Sequence, residues 1–196
     1  MFNEVAKSTD AVVASVTTNA GTKEKMQAGG VFHFQCFDKD GNLKWEDKAH
    51  NLVVNEGLQD MNNKYFKGVT YSAAWYLGLI TGPVANTTIS AGDTLASHGA
   101  TGAGGWTEDT AYSGNRKAVT FGTPTLADPS VISNSASPAQ FSITGTTTIA
   151  GAFLASVATG TSGILFSASD FQSPGDRSVV NGDTLNVTYQ FSLDAA

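Results

Sequence analysis

The sequence predicts a mainly β protein, built as an antiparallel β-sandwich or jelly-roll-like domain with one short helix and an extended N-terminal arm. The clearest evidence is at the C-terminus, where Leu185 to Leu193 carry five apolar side chains at alternate positions, the period of a strand with one buried face. Strand-like runs recur about every ten residues between turn signals. From Phe121 onward only six side chains are charged, which is typical of β structure built from small residues.

Residues 1–30 are predicted to form the extended arm, and residues 31–196 the β-rich domain. The arm carries scattered apolar side chains, Phe2, Val5, Val12 and Val13 among them, which are too few to build a core of its own. Two interpretations stay open: a flexible tail, or a segment that extends along a neighbouring subunit.

A β-hairpin is expected to open the domain. Residues 31–37 alternate between apolar and polar side chains, the D-K-D-G-N segment at 38–42 has turn composition, and Leu43 and Trp45 resume the alternation. A short helix near 56–67 follows, with Asn55 as the N-cap and an apolar face. That face is formed by Leu58, Met61 and Tyr65.

The rest of the domain is predicted as strands joined by turns, with one long loop near 86–114 that carries Trp106 and Tyr112. Loops of this length in compact domains are usually functional or lie at interfaces. The expected strands cover residues 71–80, 117–121, 139–143, 148–157, 164–167, 178–180 and 184–192.

Composition excludes several classes of protein. A net charge of −6 with a pI near 4.8 disfavours nucleic-acid binding, since phosphate neutralisation needs basic side chains. The single cysteine, Cys36, rules out an intrachain disulfide. No apolar run is long enough for a membrane span. The N-terminus lacks the features of a signal peptide, so synthesis in a cytoplasm is expected.

No catalytic or metal-binding pattern is found. His33, His50 and His98 are isolated in sequence. The spacing of Asp38 and Asp40 resembles the start of a calcium loop, but the glycine falls at loop position 4 instead of 6. Cys36 lies in an apolar strand, as a structural thiol does. We therefore expect no enzyme, no cofactor and no metal.

The candidate sites are interface residues. Aromatic side chains on loops are typical interface anchors, and Trp106 and Tyr112 lie in the long loop. Arg116 and Lys117 form the one basic cluster of the second half and could meet an acidic partner. The alternatives are burial of the two rings beneath the loop and a solvated strand end. The full predicted set is Phe2, Val5, Val12, Val13, Trp106, Tyr112, Arg116 and Lys117.

The segment N-L-V-V-N-E-G-L at 51–58, preceded by Trp45, resembles a motif of small virion proteins of tailed bacteriophages. Further similar segments extend the resemblance over about residues 31–192; they are W-Y-L-G-L at 75–79, G-W-T-E at 105–108, G-N-R-K-A-V-T-F at 114–121, I-A-G-A-F-L at 149–154 and G-D-T-L-N-V-T-Y at 182–189. The family has no defined site, so no residue role is transferred.

The resemblance implies a non-enzymatic structural protein of the virion, made in the host bacterial cytoplasm. The leading expectation is a capsid decoration, or cement, protein that binds the outer shell and bridges capsid subunits. Its partners would be the major capsid protein or other virion proteins, and copies of itself in a dimer or trimer, with no nucleic acid and no membrane.

Three alternatives remain open. A tail or collar component, such as a tail fibre or a protein of the head–tail connector, would share the composition. A carbohydrate-binding β-sandwich would stack Trp75, Trp106 and Tyr112 on sugar rings, and it predicts that these rings form one exposed platform. An enzyme would require the histidines to cluster with carboxylates.

Overall fold

The computed structural model describes residues 26–71, 74–82, 89–98, 106–172 and 175–195. Eleven strands and two helices lie in these ranges, and the chain is mainly β, as predicted. In chain order they are β1 Gln27–Phe37, β2 Leu43–Val53, α1 Asn55–Tyr65, β3 Tyr76–Gly82, α2 Leu95–His98, β4 Glu108–Asp109, β5 Lys117–Ala118, β6 Ser130–Ser133, β7 Ala139–Ser142, β8 Thr147–Ala155, β9 Leu165–Asp170, β10 Arg177–Val179 and β11 Thr184–Asp194.

The strands form one antiparallel sheet that curls into a half-barrel, which fits a sandwich or jelly-roll architecture broadly. The strand order is β4-β3-β8-β9-β2-β1-β11-β6, with β5 beside β3, β7 beside β11 and β10 beside β8. β2 joins the two halves of the sheet. Its residues 43–50 pair with β1, and Asn51–Val53 pair with β9.

The main core lies on one side of the sheet and follows the alternation seen in the sequence. Phe32 and Phe34 of β1 point into it together with Tyr189 of β11, and all three are fully buried. The rings of Phe32 and Tyr189 are 4.6 Å apart, within the range of favourable aromatic pairs. The predicted hairpin and C-terminal strand are therefore confirmed.

A second apolar cluster covers the other side of the sheet at β3, β8 and β9. Phe153 of β8 packs there with Ile80 and with Trp106, whose ring lies 5.4 Å from it. Gly78 of β3 provides the space for Phe153, because an added Cβ would lie 2.3 Å from that ring. β8 is thus buried on both faces, which accounts for its continuous apolar sequence.

Several predicted boundaries differ from the observed ones. β1 begins at Gln27, so residues 27–30 belong to the sheet and not to the arm; residues 1–25 lie outside the described part of the chain. β5 is shorter than the predicted strand at 117–121. β4, β6 and α2, each of at most four residues, were not predicted.

Candidate interface

The helix α1 lies on β9 with a glycine at the contact. An added Cβ at Gly57 would lie 2.4 Å from the carbonyl oxygen of Phe166, so only glycine allows this approach. Asp60, one turn further on, is buried as well and pairs with Lys64 at 3.2 Å. The side of α1 that faces the protein therefore carries a glycine and a paired carboxylate.

Glu56 fixes the orientation of the helix. Its carboxylate accepts a hydrogen bond of 2.7 Å from the backbone N–H of Leu165 and one of 3.5 Å from that of Leu95. The first contact ties α1 to β9 and the second ties it to α2. The helix begins at Asn55, while the N-cap position belongs to Val54 and has no side-chain cap, so the predicted N-cap at Asn55 is wrong.

The opposite side of α1 faces solvent and is mixed, since Asn55, Gln59 and Asn62 are exposed together with Leu58 and Tyr65. Leu58 is 41% exposed, Tyr65 81% and the adjoining Phe66 77%. Of the predicted apolar face of Leu58, Met61 and Tyr65, only Met61 packs partly against the core. With Gly57 against Phe166, Leu58 and Tyr65 lie on the exposed side of the helix.

We call the exposed apolar residues in and directly after α1 the α1 aromatic surface. Tyr65 and Phe66 contact each other edge-on with ring centroids 4.9 Å apart. Tyr71 lies under the ammonium group of Lys64, at 4.8 Å from the ring centre, and its hydroxyl accepts a 2.9 Å hydrogen bond from Trp75. The surface comprises Leu58, Tyr65, Phe66, Val69 and Tyr71.

The charged side chains of α1 and its C-terminal end balance, with Glu56 and Asp60 opposing Lys64 and Lys67. Glu56 accepts hydrogen bonds from backbone N–H groups and Asp60 pairs with Lys64, whereas Lys67 is exposed and follows Phe66 in the sequence. Phe66 therefore has one exposed lysine as its neighbour.

The structure places two of the predicted interface aromatics inside the fold. Trp106 is 1% exposed and donates a 3.2 Å hydrogen bond to Asp93. Tyr112 packs edge-on against Phe141 at 4.8 Å, and its hydroxyl donates to Glu108. Of the two interpretations of these rings, burial is the observed one, so neither offers surface to a partner.

The predicted basic pair is also held by the chain itself. Arg116 is buried and donates to both carboxylate oxygens of Glu108. Lys117 is half-buried; it donates to the carbonyl of Ser113 and lies over the ring of Tyr112. The remaining predicted interface residues, Phe2, Val5, Val12 and Val13, lie outside the described residues.

The burial of Trp106 and Tyr112 also removes the platform that the carbohydrate alternative predicted. Trp75 is partly buried and packs edge-on against Phe166 at 5.2 Å. The three rings share no exposed face, so a sugar ring has no common surface on which to stack.

Among the described residues no group of three or more His, Cys, Asp or Glu side chains could hold a metal ion. His33 lies 4.0 Å from Glu46 on the outer face of the hairpin. Cys36 is buried, and its burial, together with the nearby Asp183 carboxylate, raises the pKa of its thiol to about 12. No helix of the described ranges is long and apolar enough to cross a membrane.

The sequence contained a signal for the α1 aromatic surface that our prediction missed. At the end of the helix, the run Y-F-K-G-V-T-Y at 65–71 places aromatic and cationic residues around a glycine of positive φ.

Comparison with known protein families, with curated proteins and with solved structures finds no match to this chain.

Proposed function

We propose that the chain is a non-enzymatic structural protein of a bacteriophage virion, and specifically a capsid decoration protein that binds the outer shell. The observation that carries the proposal is the orientation of helix α1, which buries Gly57 and Asp60 and leaves Tyr65 and the adjoining Phe66 exposed. The resemblance of residues 31–192 to small virion proteins supports the same class.

An exposed aromatic surface favours a binding role on energetic grounds. Burial of apolar surface contributes about 25 cal/mol per Å², and contiguous apolar regions on soluble chains mark sites of interaction. Aromatic residues are enriched at such sites, whereas catalysis needs convergent titratable groups. The α1 aromatic surface offers rings and one exposed cation, which suits docking.

The fold suits an assembly component mechanically. The described strands form one antiparallel sheet with an apolar core packed against it. A decoration protein holds adjacent capsid subunits by spreading the free energy over several contacts. In our proposal the α1 aromatic surface supplies one of these contacts, with the major capsid protein or another virion protein as the partner.

The test is the copy number per virion, measured by quantitative mass spectrometry against the major capsid protein. The proposal expects a number comparable with that of the capsid protein. About a dozen copies or fewer, as rings at a symmetry axis contain, would assign the chain to the tail or collar instead. Absence from purified virions would overturn the virion role altogether.

A further inference from the structure

A small pocket lies at the point where β2 leaves β1 and pairs with β9. β2 contributes His50 and Leu52 to its lining, and β9 contributes Asp170. Ile89, from the segment before α2, forms a further part of the wall and packs on the second apolar cluster. The volume is about 250 Å³, several times the roughly 30 Å³ that one water molecule takes up in the liquid. The pocket can therefore hold an organic group.

Asp170 is the one carboxylate among the described residues that line this pocket. Its Oδ1 is buried and accepts no hydrogen bond from the described residues, so Oδ2 is the oxygen that a ligand can reach. Burial of an unpaired carboxylate is costly, and the pKa of Asp170 is raised to about 6, first by this burial and then by the charge of Asp176. A cation in the pocket would stabilise this carboxylate.

The cations of the protein itself do not neutralise this region. Asp176 adds negative charge and lies against the end of β3, where an added Cβ at Gly82 would lie 2.4 Å from its Oδ2. Arg177 follows Asp176 in the chain but donates to Asp47 instead, with 2.9 Å from Nε to Oδ2. Among the described lysines and arginines, none forms an ion pair with Asp170 or Asp176.

The surroundings of Asp170 select the kind of cation. A metal ion lacks ligands here, because no group of three or more His, Cys, Asp or Glu side chains in the described ranges could hold one. A guanidinium group binds best through both oxygens of a carboxylate, and Oδ1 is enclosed. A primary ammonium is a compact charge that one oxygen can accept. Leu52 and Ile89 offer apolar contact to the methylene groups behind it.

We propose that this pocket binds an alkylammonium group, with its nitrogen at Oδ2 of Asp170 and its methylene groups against Leu52 and Ile89. Two sources carry this chemistry: a free alkylamine and the lysine side chain of a partner protein. His50 and Gln172 are exposed and line the same pocket, where their side chains can form hydrogen bonds beside the ligand. The pocket shares no residue with the α1 aromatic surface, so the inference does not rest on the proposed function.

The test is a titration of the purified full chain with n-butylammonium at pH 7, followed by the amide NMR signals of β2 and β9. We expect saturable shifts at Leu52 and Asp170, whereas butan-1-ol, the same stem without a charge, should bind at least about tenfold more weakly. Asp170→Asn should lower the affinity for n-butylammonium at least about tenfold, because an amide cannot oppose the charge. Asp40→Asn, at an exposed turn position, is the matched control and should bind like the wild type.

Unfolding does not explain the expected loss in Asp170→Asn, since this variant loses a buried charge and should be at least as stable as the wild type at pH 7. Equal binding of butan-1-ol and n-butylammonium, or an unchanged affinity of Asp170→Asn for n-butylammonium, would overturn the proposal.

Gln172→Lys gives a second readout. The Gln172 side chain lies beside Asp170, since its amide donates to the Asp170 carbonyl at 3.4 Å. A lysine there places an ammonium group of the chain itself within reach of the pocket, so the affinity for n-butylammonium should fall at least about tenfold. Gln172→Met has a similar length and no charge, so it should bind like the wild type. Equal affinities of the two variants would contradict a site at Asp170.

The affinity should depend on pH through Asp170. A cation favours the ionised carboxylate, so binding of n-butylammonium should be full above pH 6 and weaken by up to about tenfold per pH unit as the pH falls below 6. His50 lines the same pocket and Asp176 raises the pKa of Asp170. The pH profile should therefore persist in His50→Gln, shift to lower pH in Asp176→Asn and vanish in Asp170→Asn. A profile that is lost in His50→Gln would contradict the role of Asp170.

The two sources are distinguished with Nα-acetyl-lysine N-methylamide. Tighter binding of this probe than of n-butylammonium assigns the pocket to a lysine of a partner protein, and weaker binding assigns it to a free alkylamine. Because these measurements use the purified chain and a small amine, their failure leaves the virion role to be decided by copy number.

Discussion

Arg116 and Glu108 are joined by two hydrogen bonds, 2.8 Å from Nε to Oε1 and 2.7 Å from Nη2 to Oε2. The pair is nearly fully enclosed, and the guanidinium also donates to the carbonyl of Val157 and lies over the ring of Phe153. The pair joins the segment before β5 to the edge strand β4. It also packs on the second apolar cluster, because the Arg116 guanidinium lies over Phe153. Arg116, for which the sequence indicated an exposed position, is thus buried.

Breaking this pair should be costly. Glu108→Gln leaves the buried guanidinium without its counter-charge, so we expect the free energy of unfolding to fall by about 3 kcal/mol. Chemical denaturation measures it. The control is Asp40→Asn, which removes the exposed ion pair with Lys39 and should cost less than about 1 kcal/mol. Equal losses in the two variants would contradict the described enclosure.

Gly57→Ala should destabilise the protein although alanine favours helices. The added Cβ would lie 2.4 Å from the carbonyl oxygen of Phe166, so α1 must shift away from β9, at a cost of about 1–3 kcal/mol. Gly92→Ala is the control, because nothing lies within 4 Å of its added Cβ. Thermal unfolding compares them, and a stabilised Gly57→Ala variant would refute the helix placement.

Cys36 should be inert in the folded chain. Its thiol is buried and its pKa is raised to about 12, chiefly by burial and then by Asp183, so at pH 8 it stays protonated and shielded. We expect a thiol-reactive disulfide reagent to modify it at least about a hundredfold more slowly than in denaturant. Rapid modification under native conditions, at the rate of the unfolded chain, would be inconsistent with this burial.

Asp170 should destabilise the fold as pH rises. Burial, and then the charge of Asp176, raises its pKa from 3.8 to about 6. The folded chain thus favours the protonated carboxyl, and the contribution to stability is full below pH 3.8 and declines as pH rises through 6. Asp170→Asn should therefore raise the melting temperature at pH 7 and leave it unchanged at pH 3.5. A lower melting temperature of the Asp170→Asn variant at pH 7 would contradict this prediction.

The strands of the sheet could be predicted because short segments of the sequence specify them. β1 and β11 alternate with period two, and the turn at 38–42 contains its own hydrogen-bonding residues, so neither needs knowledge of distant contacts. The inner side of α1 could not be predicted, since it depends on Gly57 meeting Phe166, more than a hundred residues later in the chain. Trp106 was equally ambiguous, because its burial depends on Phe153 and on the hydrogen bond to Asp93.

The central claim is that the α1 aromatic surface docks the chain in a virion, and the double variant Tyr65→Ser with Phe66→Ser tests it most directly. Both side chains are more than three-quarters exposed, so the melting temperature should stay unchanged while incorporation into virions falls at least about tenfold. Leu126→Ser serves as the control. Full incorporation of the double variant, or a loss matched by unfolding, would contradict the account.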